Sequence, residues 1–507
     1  MSRAIPIIRT AGQVCVGDLF TLRAAARPDA LAIEHEGYRT SYGQLATRVA
    51  RLAAALTALG VTGGERVAIL SENRPEYIEL ILAAARIRAI VACQNWRLAT
   101  AELAHTINLV EPRVIIVSPR YAAGLQQVSH GARRVIELGT EYETLIATAP
   151  KDTPSVPVDP EDGLLILYTS GTTGLPKGAL ISHRALIARM AAFRLDLGIA
   201  DDDAFCAWAP MFHMASADHM LAALMSGAPV VVIDGFRPAE MVAAAAAHRL
   251  GWLVLMPGAI APVIEEMQRN PVTPKGIRVI GAMADLVPIH QIAEITRLLG
   301  APYLNSFGAT ETGLPPASRD LIAPGVAPSS LGKRQSSLCA LRLVDPDDRD
   351  VAPGEPGEMA IRGPTVFSGY WNADADNRKD FRGGWFHMGD LFRQTADGAY
   401  HFVDRAKYMI KSGGENIYPA EIERVLLADA RIEDAVVVRK RDARWGEISV
   451  AFIAAREVAL TVADVDALCR SQLAGYKRPK EVHFVALETL PRSTTGKVQR
   501  HEVEKWL

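Results

Sequence analysis

The sequence predicts an α/β protein: a large N-terminal domain of βαβ-type sheets with an antiparallel β subdomain, followed by a small α+β C-terminal domain. Three observations lead there. From about residue 15 to 300, Ala- and Leu-rich helical stretches alternate with short β-branched runs, among them Arg66–Leu70, Val114–Val117, 230–233 and 252–255, the rhythm of βαβ units and largely parallel sheets. From roughly 327 to 403, short strands are separated by the turn pairs Asp347-Asp348, Pro353-Gly354, Pro356-Gly357, Gly383-Gly384 and Asp397-Gly398, as in an antiparallel subdomain. After Asp404 come a helix opened by Pro419 (420–427), strands at 435–438 and 449–454, a helix capped by Thr461 with Asp464, and a strand at 482–485. The N-terminal domain is thus placed at 1–403 and the C-terminal one at 409–507, with 404–408 between them. A chain of 507 residues exceeds what one hydrophobic core normally organises, which agrees with two domains.

Bulk properties narrow the class. With 55 Lys plus Arg against 57 Asp plus Glu, the net charge is −2, so there is no electrostatic footprint for nucleic acid. Cys15, Cys93, Cys206, Cys339 and Cys469 are odd in number and lack CxxC spacing, which argues against a disulfide framework or zinc site and for a reducing cytoplasm. The N-terminus lacks a basic head followed by an apolar stretch. The apolar runs around 219–233 and 250–264 are too short and interrupted for a transmembrane segment.

Five segments carry candidate chemistry. The first, Tyr168-Thr169-Ser170-Gly171-Thr172-Thr173-Gly174-Leu175-Pro176-Lys177-Gly178, follows the apolar run at 164–167. Glycines let backbone N–H groups converge, hydroxyls add donors and a lysine adds charge, a combination suited to a polyphosphate. It is not a Walker A loop, because Pro176 stands where that motif has glycine. The second, Asn305-Ser306-Phe307-Gly308-Ala309-Thr310-Glu311-Thr312-Gly313, puts a ring, a hydroxyl and a carboxylate in one loop; alone it reads as a turn with a core phenylalanine. The third, Gly384-Trp385-Phe386-His387-Met388-Gly389-Asp390, offers a carboxylate able to bond a diol, although a lone turn aspartate is more often only solvated. The fourth runs from Asp404 to Asn416 through Arg405, Lys407, Lys411, Gly413 and Gly414, and the fifth is Pro491-Arg492-Ser493-Thr494-Thr495-Gly496-Lys497.

In this order and at these separations, the five segments resemble the adenylate-forming superfamily, which contains acyl-CoA synthetases, peptide-synthetase adenylation domains and beetle luciferases. The resemblance covers essentially the whole chain and is nearest to acyl-CoA synthetases acting on fatty or aryl acids. It implies an acid–thiol ligase that makes an acyl-adenylate from ATP and a carboxylic acid, with magnesium, and then passes the acyl group to coenzyme A. By position, Thr169, Ser170, Gly171, Thr172, Thr173, Gly174 and Lys177 would manage the β- and γ-phosphates. Phe307 would stack on adenine, Thr310 would meet the α-phosphate, Glu311 would hold the magnesium ion, and Asp390 with Arg405 would take the ribose. Lys497 would neutralise charge at the α-phosphorus. Lys407 falls at the family's hinge, making 404–408 a hinge and 409–507 a mobile lid. Lys411, Gly413 and Gly414 lie on the face brought in for thioester formation, and His213 corresponds to a gate beside the acyl pocket.

Departures from the family bear on specificity. Phe307 replaces a usual tyrosine, and Gly281-Ala282-Met283-Ala284-Asp285 stands where two glycines followed by Ala-Pro are common. The added side chains of Ala282 and Met283 narrow a pocket otherwise formed near Phe212, Met214, Met256, Gly308 and Leu314. The expected acid is therefore a hydrophobic monocarboxylate of moderate size, medium-chain, aromatic or alicyclic. Asp218, after the gate, either orients His213 or His219 or faces a neighbouring helix, the latter being the expectation. The rival readings are a non-catalytic nucleotide or acyl-CoA sensor, a luciferase-like oxygenase, and a ligase loading a separate carrier protein. The last ten residues after Lys497 hold no fused carrier, which favours coenzyme A. A homodimer is the candidate assembly.

Overall fold

The computed structural model describes residues 11–150, 156–169, 175–412, 415–456, 460–492 and 498–507. Two βαβ-type sheets form its larger part. One has six strands in the order Arg134–Glu137, Val114–Val117, Arg66–Leu70, Ile90–Cys93, Gly163–Thr169 and Lys177–Ser182, all parallel except the last. The other has eight, in the order Asp320–Ile322, Tyr303–Asn305, Ile277–Ile280, Leu250–Leu253, Ala204–Ala207, Val230–Val232, Leu31–His35 and Tyr38–Ser41, with antiparallel strands only at its two edges. Central strands such as Val114–Val117 are buried along their whole length, which is why they read as unbroken aliphatic runs. The run expected at 252–255 begins earlier, at Leu250: pairing with Ala204–Ala207 and Ile277–Ile280 carries the strand through Gly251.

The antiparallel subdomain is a five-stranded sheet built on Trp385–Gln394, flanked by Pro356–Arg362 and by Tyr400–Arg405. The C-terminal sheet pairs Ile432–Asp442 with Gly446–Ala455, and Glu481–Phe484 joins in parallel. Thr461 caps the helix Val462–Gln472 as expected, its hydroxyl accepting from Asp464 N–H while the Asp464 carboxylate accepts from Thr461 N–H at 3.0 Å. Buried apolar side chains separate along the chain: one core runs from Val16 to Phe386 across both large sheets, and two others use only residues from Ile410 to Val503. All five cysteines are free. Among the described residues no helix is long and apolar enough to cross a membrane.

Candidate active site

The two ends of the first motif lie on adjacent antiparallel strands. Strands Gly163–Thr169 and Lys177–Ser182 run antiparallel with Thr169 opposite Lys177, so the hydroxyl-rich stretch joins two strand ends; Ser170, Gly171, Thr172, Thr173 and Gly174 themselves lie outside the described residues. Tyr168 anchors the strand pair, its hydroxyl donating to the Thr106 carbonyl and accepting from Gln94 Nε2, both at 2.9 Å. Lys177 Nζ lies 2.5 Å from the Asp376 carboxylate and 5.0 Å from the centre of the Tyr370 ring.

Tyr370 links that lysine to the second motif. Its hydroxyl donates to Glu311 Oε1 at 2.8 Å. Burial pushes the Glu311 carboxyl above the usual range, and the Tyr370 hydrogen bond acts in the opposite sense. The loop is pinned on both sides of Glu311: its carbonyl accepts from Phe367 N–H at 2.8 Å, and the Thr310 carbonyl accepts from Arg189 Nη2 at 3.1 Å. Gly308 pairs so closely with 313–316 that a Cβ there would lie 2.0 Å from the Gly313 carbonyl, so glycine is required. The half-buried Phe307 ring packs edge-on against Phe392 at 4.5 Å and stacks near Phe402 at 6.0 Å. Among the described residues no three His, Cys, Asp or Glu side chains form a metal cluster. One hard carboxylate such as Glu311 fits magnesium nonetheless, because that ion takes one or two protein carboxylates and completes its shell with water and phosphate.

Asp390, on the strand Trp385–Gln394, is directly opposite Arg405 in the register; it is buried and accepts from Arg405 Nε at 3.1 Å. The neighbouring Asp404 faces the other way and ties the larger part to the C-terminal unit. Its carboxylate accepts from Arg500 Nη1 at 3.3 Å and from Ala420 N–H at 2.9 Å. Lys407 is exposed in the turn Ala406–Tyr408, with Nζ 4.8 Å from the Tyr408 ring. Lys411 is exposed on the strand Ile410–Ser412, which pairs antiparallel with Glu415–Ile417. Gly413, Gly414 and Lys497 lie outside the described residues.

The expected acyl wall is held by its backbone. Tyr303 Oη donates to the Ala282 carbonyl and Trp252 Nε1 to the Gly281 carbonyl, each at 2.8 Å, while Met283 N–H donates to Ser306 Oγ at 3.0 Å. A Cβ on Gly281 would come within 2.1 Å of the Tyr303 ring, so glycine is obligatory there. Met283 adopts a left-handed backbone, φ 52°, a conformation that costs a residue with a Cβ about 1–2 kcal/mol. Phe212, Met214, Ala282 and Leu314 are buried in the main core, with Met256 and Met283 packed against it. His213 caps the helix Met214–Ser226, its Nδ1 accepting from Ala215 N–H at 3.2 Å.

Asp218 does face a neighbouring helix: it pairs with Arg189 of His183–Leu197 at 3.0 Å, both side chains buried. Neither histidine is its partner in that bond. His219 sits between Phe193 and Trp252, ring centres 4.6 and 4.5 Å away, and burial with the nearby Arg189 charge lowers its pKa to about 3. Arg189 also donates from Nε to the Thr365 carbonyl at 3.0 Å, so one buried guanidinium braces the loops at 310 and 365. Sequence reasoning passed over Arg189 and Tyr370. Arg189 had a signal, a charge set among Ala185, Ala188, Ala192 and Phe193 on its helix; Tyr370 had none.

Comparison with known proteins identifies the family. Residues 20–371 match the model of the AMP-binding enzyme family and 421–497 that of the AMP-binding enzyme C-terminal domain. The chain is 37% identical to an indoleacetate–CoA ligase of Aromatoleum aromaticum, covering 95% of this chain and 96% of the relative. It is 32% identical to a feruloyl-CoA synthase of an Amycolatopsis species, covering 95% and 97%. Among solved structures, ATP-bound MatB from Rhodopseudomonas palustris superposes with a TM-score of 0.85 at 27% identity, over 97% of this chain and 99% of that one. The protein belongs to the AMP-binding enzyme family, the adenylate-forming enzymes that include the acyl-CoA synthetases.

Proposed function

We propose that this protein is an ATP-dependent, AMP-forming acid–CoA ligase whose substrate is a hydrophobic monocarboxylate, an aryl acid before a medium-chain or alicyclic one. The observation that carries the reading is the convergence at Tyr370: its ring lies beside Lys177, its hydroxyl on Glu311, and Arg405 lies within electrostatic reach of both Glu311 and Asp390. Lys177, Glu311 and Asp390, which we assign to phosphate, magnesium and ribose, are thus linked through Tyr370 and Arg405. Relatives named for indoleacetate and feruloyl-CoA support an aromatic acid.

The chemistry needs alignment and charge neutralisation rather than a covalent nucleophile. The substrate carboxylate attacks the α-phosphorus, the bond to pyrophosphate breaks, and Lys177 with the donors of the first motif receives the departing charge. Magnesium held by Glu311 would neutralise phosphate oxygens during this step. Phe307 offers a ring to adenine, and Asp390, fixed by Arg405, accepts from the ribose hydroxyls. In the second step the thiol attacks the acyl carbonyl and AMP leaves. We assign Lys497 to the first step and Lys411, with Gly413 and Gly414, to the second, which requires the unit 409–507 to turn about 404–408. The separation of hydrophobic cores between Phe402 and Ile410 supports that division into domains. A cytoplasmic location and a homodimer complete the proposal; light scattering tests the latter.

A panel of indoleacetate, ferulate, octanoate and acetate, assayed for pyrophosphate release and for thioester, tests the reading. Aryl acids should give both products with the highest kcat/KM. Pyrophosphate release without thioester would favour the carrier-loading alternative, and preference for acetate would overturn the substrate class.

A further inference from the structure

The wall segment 281–285 ends in a charge, Asp285, whose partner is unexpected. Lys333 is fully buried, and its Nζ lies 2.5 Å from Asp285 Oδ2 and donates to Asn305 Oδ1. Asn305, also buried, donates from Nδ2 to the carbonyls of Leu331 and Gly332 at 3.1 and 3.0 Å, closing the ring of bonds on the lysine's own segment. A buried ammonium is tolerated only when paired and hydrogen-bonded, so this one dictates where both partners stand. Its backbone is fixed as well: Lys333 N–H donates to the Tyr400 carbonyl and Tyr400 N–H to the Lys333 carbonyl, both at 2.8 Å.

Three site segments therefore meet at one residue, two at its side chain and one at its backbone. Asp285 belongs to the wall that carries Met283, Asn305 precedes Phe307 by two residues, and Tyr400 begins the strand that ends in Arg405. The Met283 N–H bond to Ser306 Oγ, one residue from Asn305, ties wall and adenine loop a second time. None of these contacts involves a residue assigned above to the phosphates.

We propose that Lys333, with Asp285 and Asn305, is a positioning clamp that sets the acyl wall against the adenine loop, so that ATP and acid geometry are fixed together for adenylate formation. This rests on Phe307 being the adenine platform and Met283 the acyl wall. A clamp of this kind acts on adenylation alone and leaves the thioester step to the C-terminal unit. It also gives Asp285 a function in the departing segment: the carboxylate anchors the wall that Ala282 and Met283 narrow.

The test separates positioning from mere stability. Lys333→Met alone strands Asp285 and is expected to destabilise the fold. The double variant Lys333→Met with Asp285→Leu replaces the pair by apolar groups, a change often neutral for stability. It should melt close to the parent, yet lose about tenfold or more in kcat/KM for adenylation with both ATP and aryl acid, since small misplacements are costly in aligned reactions. The ratio of kcat/KM between a compact and a bulky aryl acid should change in the same variant. Thioester formation from supplied acyl-adenylate should stay near the parent rate. Recovery of parental adenylation and acid preference together with stability would overturn the clamp. Unchanged ATP affinity in Phe307→Ala would instead overturn the site reading beneath it, independently of the double variant.

Discussion

On the nucleotide face three charged candidates are each held by a side chain from another segment: Lys177 by Asp376, Glu311 by Tyr370, Asp390 by Arg405. On the acyl wall the apolar side chains only pack, and the segment that carries them is fixed by the backbone of 281–283 and, beyond it, by Asp285 on Lys333. Directed polar partners hold charges where they must meet a developing charge, whereas a packed wall sets only size. Changes on the first face should therefore alter rate and pH dependence, and changes on the second should alter which acid is chosen.

The largest effect expected is on the nucleotide side. Lys497→Ala should lower adenylate formation by roughly 10²–10³, the scale for losing one preorganised charge stabiliser, while conversion of supplied acyl-adenylate to thioester is largely kept. Lys411→Ala should show the mirror pattern, with pyrophosphate release retained and thioester formation impaired. Half-reaction assays that find equal losses in both steps for either variant contradict the division of labour.

Tyr370→Phe sharpens the electrostatic half of the comparison. The tyrosine hydrogen bond holds the Glu311 carboxyl down against burial, so its removal raises that pKa further. Glu311 must be ionised to hold a cation, and activity is lost as pH falls through its pKa; the acid limb of kcat/KM for ATP should therefore move to higher pH. An unmoved limb would mean that Glu311 does not govern it.

The smallest effect belongs to the wall. Met283→Gly removes a side chain from a left-handed backbone that glycine adopts without strain, so the fold should tolerate it. Selectivity should shift toward bulkier acids by about fourfold per methylene newly accommodated, the equivalent of ~0.8 kcal/mol. An unchanged size profile in kcat/KM would place Met283 outside the acyl pocket.

The same contrast explains what the sequence made legible. Arg66–Leu70 and Val114–Val117 were readable as aliphatic runs, and Thr461 with Asp464 as a cap, because their causes are local. The site motifs stood out because glycines, hydroxyls and charges crowd together in them. Tyr370, Arg189, Lys333 and Asn73, whose side chain donates to the carbonyls of 207–209 and accepts from Met211 N–H, were not assigned roles. Each acts on partners far away in sequence, brought near only by the packing of the two large sheets and the antiparallel subdomain. The start of the strand at Leu250 was missed for the same reason: its pairing, rather than its local composition, carries it through Gly251.

The central claim is that one site first makes an acyl-adenylate and then transfers the acyl group to coenzyme A. A single-turnover experiment tests it most directly: enzyme in excess over ATP and an aryl acid with magnesium, quenched over time and followed by mass spectrometry, with coenzyme A withheld and then added. Aryl-adenylate should accumulate with matching pyrophosphate, then fall as aryl-CoA and AMP rise in equal amounts. Adenylate that persists after coenzyme A is added, or thioester formed with no adenylate before it, would contradict the account.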